Sequence, residues 1–291
     1  MKQIGIIGAG IMASGMAQNF IKHGYKVHVW NRSAERLRPL VQAGVTPEEI
    51  PKAVAKASDI VIECVSDDDA SRSVWLGEDG ILAGASPKKV LITAASLSLE
   101  WTDELAKLCA DKGFQFLDMP LTGSRPGAEG GTLKLLVGGE QAVLSQIQTD
   151  LYTIADKVYH FGPVGSGMRF KLLLNFMQAV QIDATSQAIL LAQKAGLNVA
   201  TMHDALFDAP MGAASPAVNM VFQALGNPAL LNFAVKHIEK DLRYAQAMAK
   251  AAGVDSVLLN DLQADYAKAK ENGLADRDWT AIIELFRREG K

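Results

Sequence analysis

The sequence predicts an α/β fold in two parts: an N-terminal doubly wound, mainly parallel sheet, followed by an all-helical C-terminal domain. Three observations carry this. Up to about residue 163, short apolar runs alternate with helical patterns of ten or more residues, as βαβ units do. The runs are Val/Ile-rich and mostly uninterrupted, as strands covered on both faces must be. After Gly162-Pro163-Val164-Gly165-Ser166-Gly167 no further strand-like run appears, and apolar spacing stays helical almost to the end. The expected domains are therefore 1–163 and 164–291.

Taken in order, the predicted strands are Gln3–Ile7, Lys26–Trp30, Ile60–Cys64, Val90–Thr93, Gln115–Asp118, Leu133–Val137 and a short run near Val158. Helical patterns fall at Met12–Lys22, Ala34–Ala43, Glu100–Lys112 and Gln141–Ala155, with acidic residues 67–69 leading into another helix as caps. The C-terminal part opens with a long helix, roughly Met168 to Ala195, ended by Gly196.

With 291 residues, 49% hydrophobic and 21% charged, the chain has material for a large core, which argues against disorder. A formal charge of −3 gives no field to gather nucleic acid or an anionic membrane. Cys64 and Cys109 lie in apolar patterns without metal-ligand spacing and read as buried free thiols. His23, His28, His160, His203 and His237 are scattered, so no metal is expected. Leu172–Ala192 carries Asp183 as its only charge. It also contains Asn175, Gln178, Gln181 and Gln187, which marks a buried helix rather than a membrane span. No secretory signal is evident, and a cytoplasmic protein is expected.

The first predicted strand runs into Gly8-Ala9-Gly10-Ile11-Met12-Ala13, the GxGxxA form of a dinucleotide fingerprint, and this makes the sheet Rossmann-type. Gly8 permits the tight turn and Gly10 removes a side chain where a pyrophosphate approaches. The backbone N–H groups of Ile11 and Met12 open a helix N-terminus that favours the anion. At the end of the second strand, Asn31-Arg32-Ser33 offers no carboxylate for a ribose 2′-hydroxyl, whereas Arg32 can pair with a 2′-phosphate. NADP is favoured over NAD. The competing reading makes Arg32 a solvated turn residue and Ser33 a helix N-cap.

Two further groups carry possible chemistry. Thr122-Gly123-Ser124, in a glycine-rich segment after the fifth strand, has the hydroxyls and backbone N–H groups for a small carboxylate nest, or is simply a connecting loop. Lys171, Asn175 and Gln178 project from one face of the long helix at i, i+4 and i+7. An ammonium in an apolar helix either has partners or snorkels to water.

Together, GIIGAGIMA, DMPLTGSRPGAEGGTLKLLVGG, GSGMRFKLLLN and Lys240-Asp241-Leu242 stand in an order that resembles the β-hydroxyacid dehydrogenases, the 3-hydroxyisobutyrate dehydrogenase-related family. Glyoxylate/succinic semialdehyde reductases are the members it is most similar to, through WNRS, LTGSRPGAEGGTL, VKHIEKDLRYA and DRDWTAIIE. The resemblance implies an active site in the cleft with Lys171 catalytic and Asn175 orienting it. It implies that Thr122, Gly123 and Ser124 hold the substrate carboxylate, that Ser96 and Lys240 contact the cofactor, and that Phe233 closes the pocket. Departures are Ala13 for the third glycine, Thr122 for a serine, Gln187 for a glutamate, and Thr93-Ala94-Ala95-Ser96 for Asp-Met-Ser-Thr.

The expected reaction is NADPH-dependent reduction of a short aldehyde-acid, with Lys171 as general acid. An ordinary lysine, pKa about 10.4, is protonated at neutral pH. Competing readings are an NAD-dependent 3-hydroxyisobutyrate dehydrogenase, a tartronate semialdehyde reductase, or a non-catalytic NADP-binding scaffold or sensor. Imine reductases generally lack the lysine, and 6-phosphogluconate dehydrogenases have larger helical domains. The family commonly associates through its helical domain, so a homodimer or homotetramer is expected.

Overall fold

The computed structural model describes residues 2–208 and 215–289. The first part contains β1 (Gln3–Ile7), α1 (Ile11–Lys22), β2 (Lys26–Trp30), α2 (Arg38–Gln42), β3 (Thr46–Pro47), α3 (Pro51–Ala57), β4 (Ile60–Glu63), α4 (Asp68–Trp75) and α5 (Ile81–Gly84). It continues with β5 (Val90–Thr93), α6 (Leu99–Asp111), β6 (Gln115–Asp118), β7 (Leu121–Thr122), α7 (Ser124–Gly130), β8 (Leu133–Gly139), α8 (Gln141–Leu151) and β9 (Ala155–Gly162).

These strands form one sheet in the order β3-β2-β1-β4-β5-β6-β8-β7, with β9 on β8. From β3 to β6 every pairing is parallel, and β8 meets both β6 and β7 antiparallel. The chain reverses its strand order between β1 and β4, which is where doubly wound sheets open a crevice at their carboxyl ends. Side chains alternate across the sheet. Ile4, Ile6, Ile60, Ile62 and Ile92 enter one core with Met16 and Phe20 of α1. Ile7, Val61 and Leu91 enter a second core with Trp75 and Trp101. Both faces are therefore covered, the physical basis of the uninterrupted apolar runs.

Several local expectations change. The 34–43 helix is a 3-10 turn (Ala34–Leu37) followed by α2. The last helix before β9 stops at Leu151, because β9 begins at Ala155 and pairs in parallel with β8. Cys109 is buried, and burial pushes its thiol pKa up to about 12. Cys64 is only half-buried, since it lies just past the end of β4.

From α9 (Ser166–Lys194) onward the structure is helical: α10 (Val199–Asp208), α11 (Pro216–Gly226), α12 (Val235–Ala251), α13 (Val257–Ala269) and α14 (Ile282–Glu289). At 1.5 Å per residue α9 is about 44 Å long. Two compact units divide the chain at Lys171/Leu172, within α9. The second unit has its own core, including Ile238, Leu242, Tyr266, Trp279 and Phe286. No helix among the described residues is long and apolar enough to cross a membrane.

Candidate active site

The fingerprint loop sits at the carboxyl end of β1, beside the switch point. Gly8 has φ +117°, and its N–H donates to the Trp30 carbonyl at 2.8 Å. A Cβ there would lie 2.4 Å from the Cys64 carbonyl oxygen, so the fold itself requires glycine. Gly10 is different. Its φ is −75°, and a Cβ built on it would meet nothing within 4 Å. Neither backbone nor packing demands glycine at this exposed position, which leaves room for a group outside the protein. Gly10 also begins α1 without a side-chain cap and with no acidic residue in the first turn. The N–H groups around Ile11 and Met12 thus have no side-chain cap and no carboxylate in their own turn, the arrangement that suits a pyrophosphate. The loop fits a dinucleotide.

Asn31 joins this loop to the end of β2. Its Oδ1 accepts from the Ala9 N–H at 3.1 Å and its Nδ2 donates to the Ser33 carbonyl at 2.9 Å, bracketing Arg32. Arg32 and Ser33 are exposed. Ser33 occupies the N-cap position of the Ala34–Leu37 turn, but its hydroxyl makes no capping hydrogen bond.

The Thr122–Ser124 segment is more structured than a connecting loop. Thr122 ends β7 and pairs with Lys134 of β8, while α7 begins at Ser124. Gly123 has φ +129°, and Ser124, φ +52°, is the one non-glycine with positive φ among the described residues. Such strain persists only where surrounding structure fixes it. The fixing comes through α7, which is locked onto α1. A Cβ on Gly15 would lie 2.6 Å from the Ala128 backbone, and the buried Asn19 amide donates to the carbonyls of Gly15, Ala128 and Glu129 at 2.9, 2.8 and 3.3 Å. The segment proposed for a substrate carboxylate and the helix proposed for the cofactor are thus one rigid piece.

Lys171 lies near the start of α9 and is only 8% exposed, which removes the snorkelling reading. The start of α9 is held by Asp118 at the end of β6. Its two carboxylate oxygens accept from the N–H groups of Gly165 and Met168 at 2.6 and 2.8 Å. Burial raises the Asp118 pKa; those two hydrogen bonds and the Arg169 charge pull it back in part.

Half-buried Ser96 follows β5. One strand over from Thr93, Glu63 is paired with it in register, is fully buried, and accepts from the Thr93 hydroxyl at 2.5 Å.

In the second unit, Asn175 and Lys240 converge on Asp241. The buried Asn175 amide donates to Asp241 Oδ2 at 2.5 Å, and Lys240 Nζ lies 3.2 Å from Oδ1. The sequence alone gives Asp241 no role, although it stands within Lys240-Asp241-Leu242. Phe233 is half-buried, edge-on to Trp279 and stacked on His237. Its backbone is pinned by Asp278 Oδ2 and by the Trp279 N–H. Gln178, expected on the face of Lys171 and Asn175, is partly exposed.

Residues 3–162 match the family model of the NAD-binding domain of 6-phosphogluconate dehydrogenase. Residues 165–286 match the model described as NAD-binding of NADP-dependent 3-hydroxyisobutyrate dehydrogenase. Glyoxylate/succinic semialdehyde reductase 1 of Arabidopsis thaliana is 30% identical over 291 residues, with 98% of each chain covered. The chloroplastic reductase 2 of the same plant is 29% identical over 290 residues, covering 98% of this chain and 79% of the relative. Among solved structures, Mycobacterium tuberculosis 3-hydroxyisobutyrate dehydrogenase with L-serine superposes with a TM-score of 0.88 at 26% identity, with 99% of each chain covered. The chain belongs to the 3-hydroxyisobutyrate dehydrogenase-related family of β-hydroxyacid dehydrogenases, NAD(P)-dependent oxidoreductases acting on CH–OH groups.

Proposed function

We propose that this protein reduces a short aldehyde-acid, such as glyoxylate or succinic semialdehyde, to the hydroxy acid with NADPH, and that Lys171 is the general acid. The observation that carries the reading is the burial of Lys171 near the start of a helix whose first turn is tied to the strand leading into Thr122–Ser124. When bound, the nicotinamide supplies a hydride to the carbonyl carbon. The chain's own residues do the rest. Thr122, Gly123 and Ser124 take the substrate carboxylate with hydroxyls and backbone N–H groups. The Lys171 ammonium polarises the carbonyl oxygen and passes it a proton as negative charge develops there. Asn175, one helical turn further on and with its amide held by Asp241, orients the acid. Lys240 and Ser96 are assigned to the cofactor and Phe233 to closing the pocket.

The choice of NADP over NAD is supported by the Asn31-Arg32-Ser33 turn, which has no carboxylate and presents an exposed Arg32. Self-association is also part of the reading. Leu173, Met177 and Leu191 on α9 are 48, 59 and 70% exposed, and a second copy covering this stripe would remove that apolar surface from water.

The test follows NADPH oxidation against glyoxylate, succinic semialdehyde, tartronate semialdehyde and methylmalonate semialdehyde, for wild type and for Lys171→Ala. General acid catalysis is worth roughly 10² to 10⁴ in rate, so the variant should lose at least about a hundredfold in kcat and bind NADPH as before. Full activity in Lys171→Ala removes the acid assignment. Inactivity of the wild type on all four aldehydes removes the substrate class.

A further inference from the structure

We infer that Asp118 is a positioning residue for Lys171, the group that sets the ammonium against the substrate segment. The inference rests on the proposed role of Lys171 and adds to it a residue that sequence reading left without a function.

The structure makes Asp118 the junction of two chain segments far apart in sequence. Going forward from Asp118, at the carboxyl end of β6, the chain passes Met119 and Pro120 into Leu121 and Thr122 of β7, and so to Gly123 and Ser124. Through its side chain, the same residue grips the first turn of α9, at Gly165 and Met168. Met168 precedes Lys171 by less than one helical turn, about 4.5 Å along the axis. A shift of the Asp118 carboxylate therefore moves the base of the lysine relative to Thr122–Ser124, with no flexible linker between to absorb it.

The surroundings leave the clamp no slack. A Cβ on Gly138 would lie 2.3 Å from Asp118 Oδ1 and 2.9 Å from the Gly167 nitrogen, and one on Gly167 would lie 2.2 Å from the Leu136 carbonyl oxygen. Gly138 and Gly167 thus let β8 and α9 press together around the carboxylate. Met168, next along, packs its sulfur 3.3 Å from the Leu97 nitrogen. An aspartate whose sole purpose was to start a helix would be served by a position on the helix's own N-terminal flank, where capping residues normally stand. Here the acceptor comes from a strand 47 residues before Gly165, at the cost of burying a carboxylate completely.

A positioning role has a signature that a purely structural one lacks, namely dependence on Lys171. Asp118→Asn keeps the size but replaces one acceptor oxygen by a donor facing an N–H group, so one of the two grips is lost. Misplacement of a catalytic group by about 1 Å costs on the order of 100-fold. We expect Asp118→Asn to lower kcat for aldehyde reduction about 10- to 100-fold with an unchanged Kd for NADPH. In a Lys171→Ala background the same change should alter kcat by less than about twofold, because nothing remains to be positioned. Equal losses in the two backgrounds, or a wild-type rate in Asp118→Asn alone, overturn the inference. Full activity of Lys171→Ala by itself instead overturns the acid assignment, and the single variants show which has failed. Should Asp118→Asn not fold, Gly138→Ala presses on the same oxygen without removing it, and the cycle is read in the same way.

Discussion

Gly8 and Gly10 stand two residues apart in one motif, yet the structure gives them opposite reasons for being glycine. Alanine at position 8 must hold φ near +117° and place its methyl 2.4 Å from the Cys64 carbonyl oxygen. Backbone strain outside the favoured region costs about 1–2 kcal/mol and overpacking about 1–3 kcal/mol, so Gly8→Ala should lose roughly 2–5 kcal/mol. For a chain of this size that corresponds to a Tm lowered by very roughly 5–15 °C. Alanine at position 10 keeps an ordinary φ of −75° and meets no protein atom within 4 Å. Its effect on stability should be nil or a gain of up to about 1 kcal/mol, through a less flexible unfolded chain. Its methyl would occupy the approach of the pyrophosphate, and overpacking there at about 1–3 kcal/mol weakens NADPH binding about 5- to 150-fold. Thermal melts of the apoprotein and NADPH fluorescence titrations read both quantities. A Gly10→Ala protein that binds NADPH like wild type, or a Gly8→Ala protein that melts like wild type, refutes the assignment of one glycine to the ligand and the other to the fold.

Three more outcomes follow from the site. Arg32→Ala should raise KM for NADPH at least about tenfold and leave KM for NADH nearly unchanged, since only the 2′-phosphate loses a partner; steady-state kinetics with both cofactors decide it. Asn19→Ala deprives the α7 carbonyls of a buried donor, at about 1–3 kcal/mol, and should raise KM for the aldehyde more than Kd for NADPH. Because burial raises the Asp118 pKa above its ordinary 3.8, this carboxyl's contribution to stability is full below that value and is lost as pH rises through the raised one. The Tm of Asp118→Asn relative to wild type should therefore climb as pH rises above 3.8, and a difference in melts that stays constant with pH contradicts the shift.

Much of this was legible in the chain because it is written locally. β1, β2, β5 and β6 occupy the residues predicted for them; β1 and β5 are buried almost throughout, as strands covered on both faces are, while β2 alternates Val27 and Val29 inward with Lys26 and His28. The fingerprint likewise needs only six consecutive residues. What escaped depends on partners distant in sequence or on segments too short for periodicity. β3 and β7 have two residues each, and α7 lies in a glycine-rich stretch that reads as a loop. Asp118 finds its partners 47 and 50 residues later, and Asp241 meets an amide 66 residues earlier. In the string of letters these aspartates look like any others. Only pairing of the strands and packing of the helices brings them to Gly165 and Met168 in one case and to Asn175 in the other.

The Glu63–Thr93 pair bears on how the carboxyl edge of this sheet tolerates change. Two adjacent strands meet there in register, and a fully buried carboxylate accepts from a fully buried hydroxyl. Replacing Thr93 alone strips a donor from an acid that water cannot reach, and replacing Glu63 alone takes the acceptor from the hydroxyl, so the two positions are coupled and their single substitutions will not add.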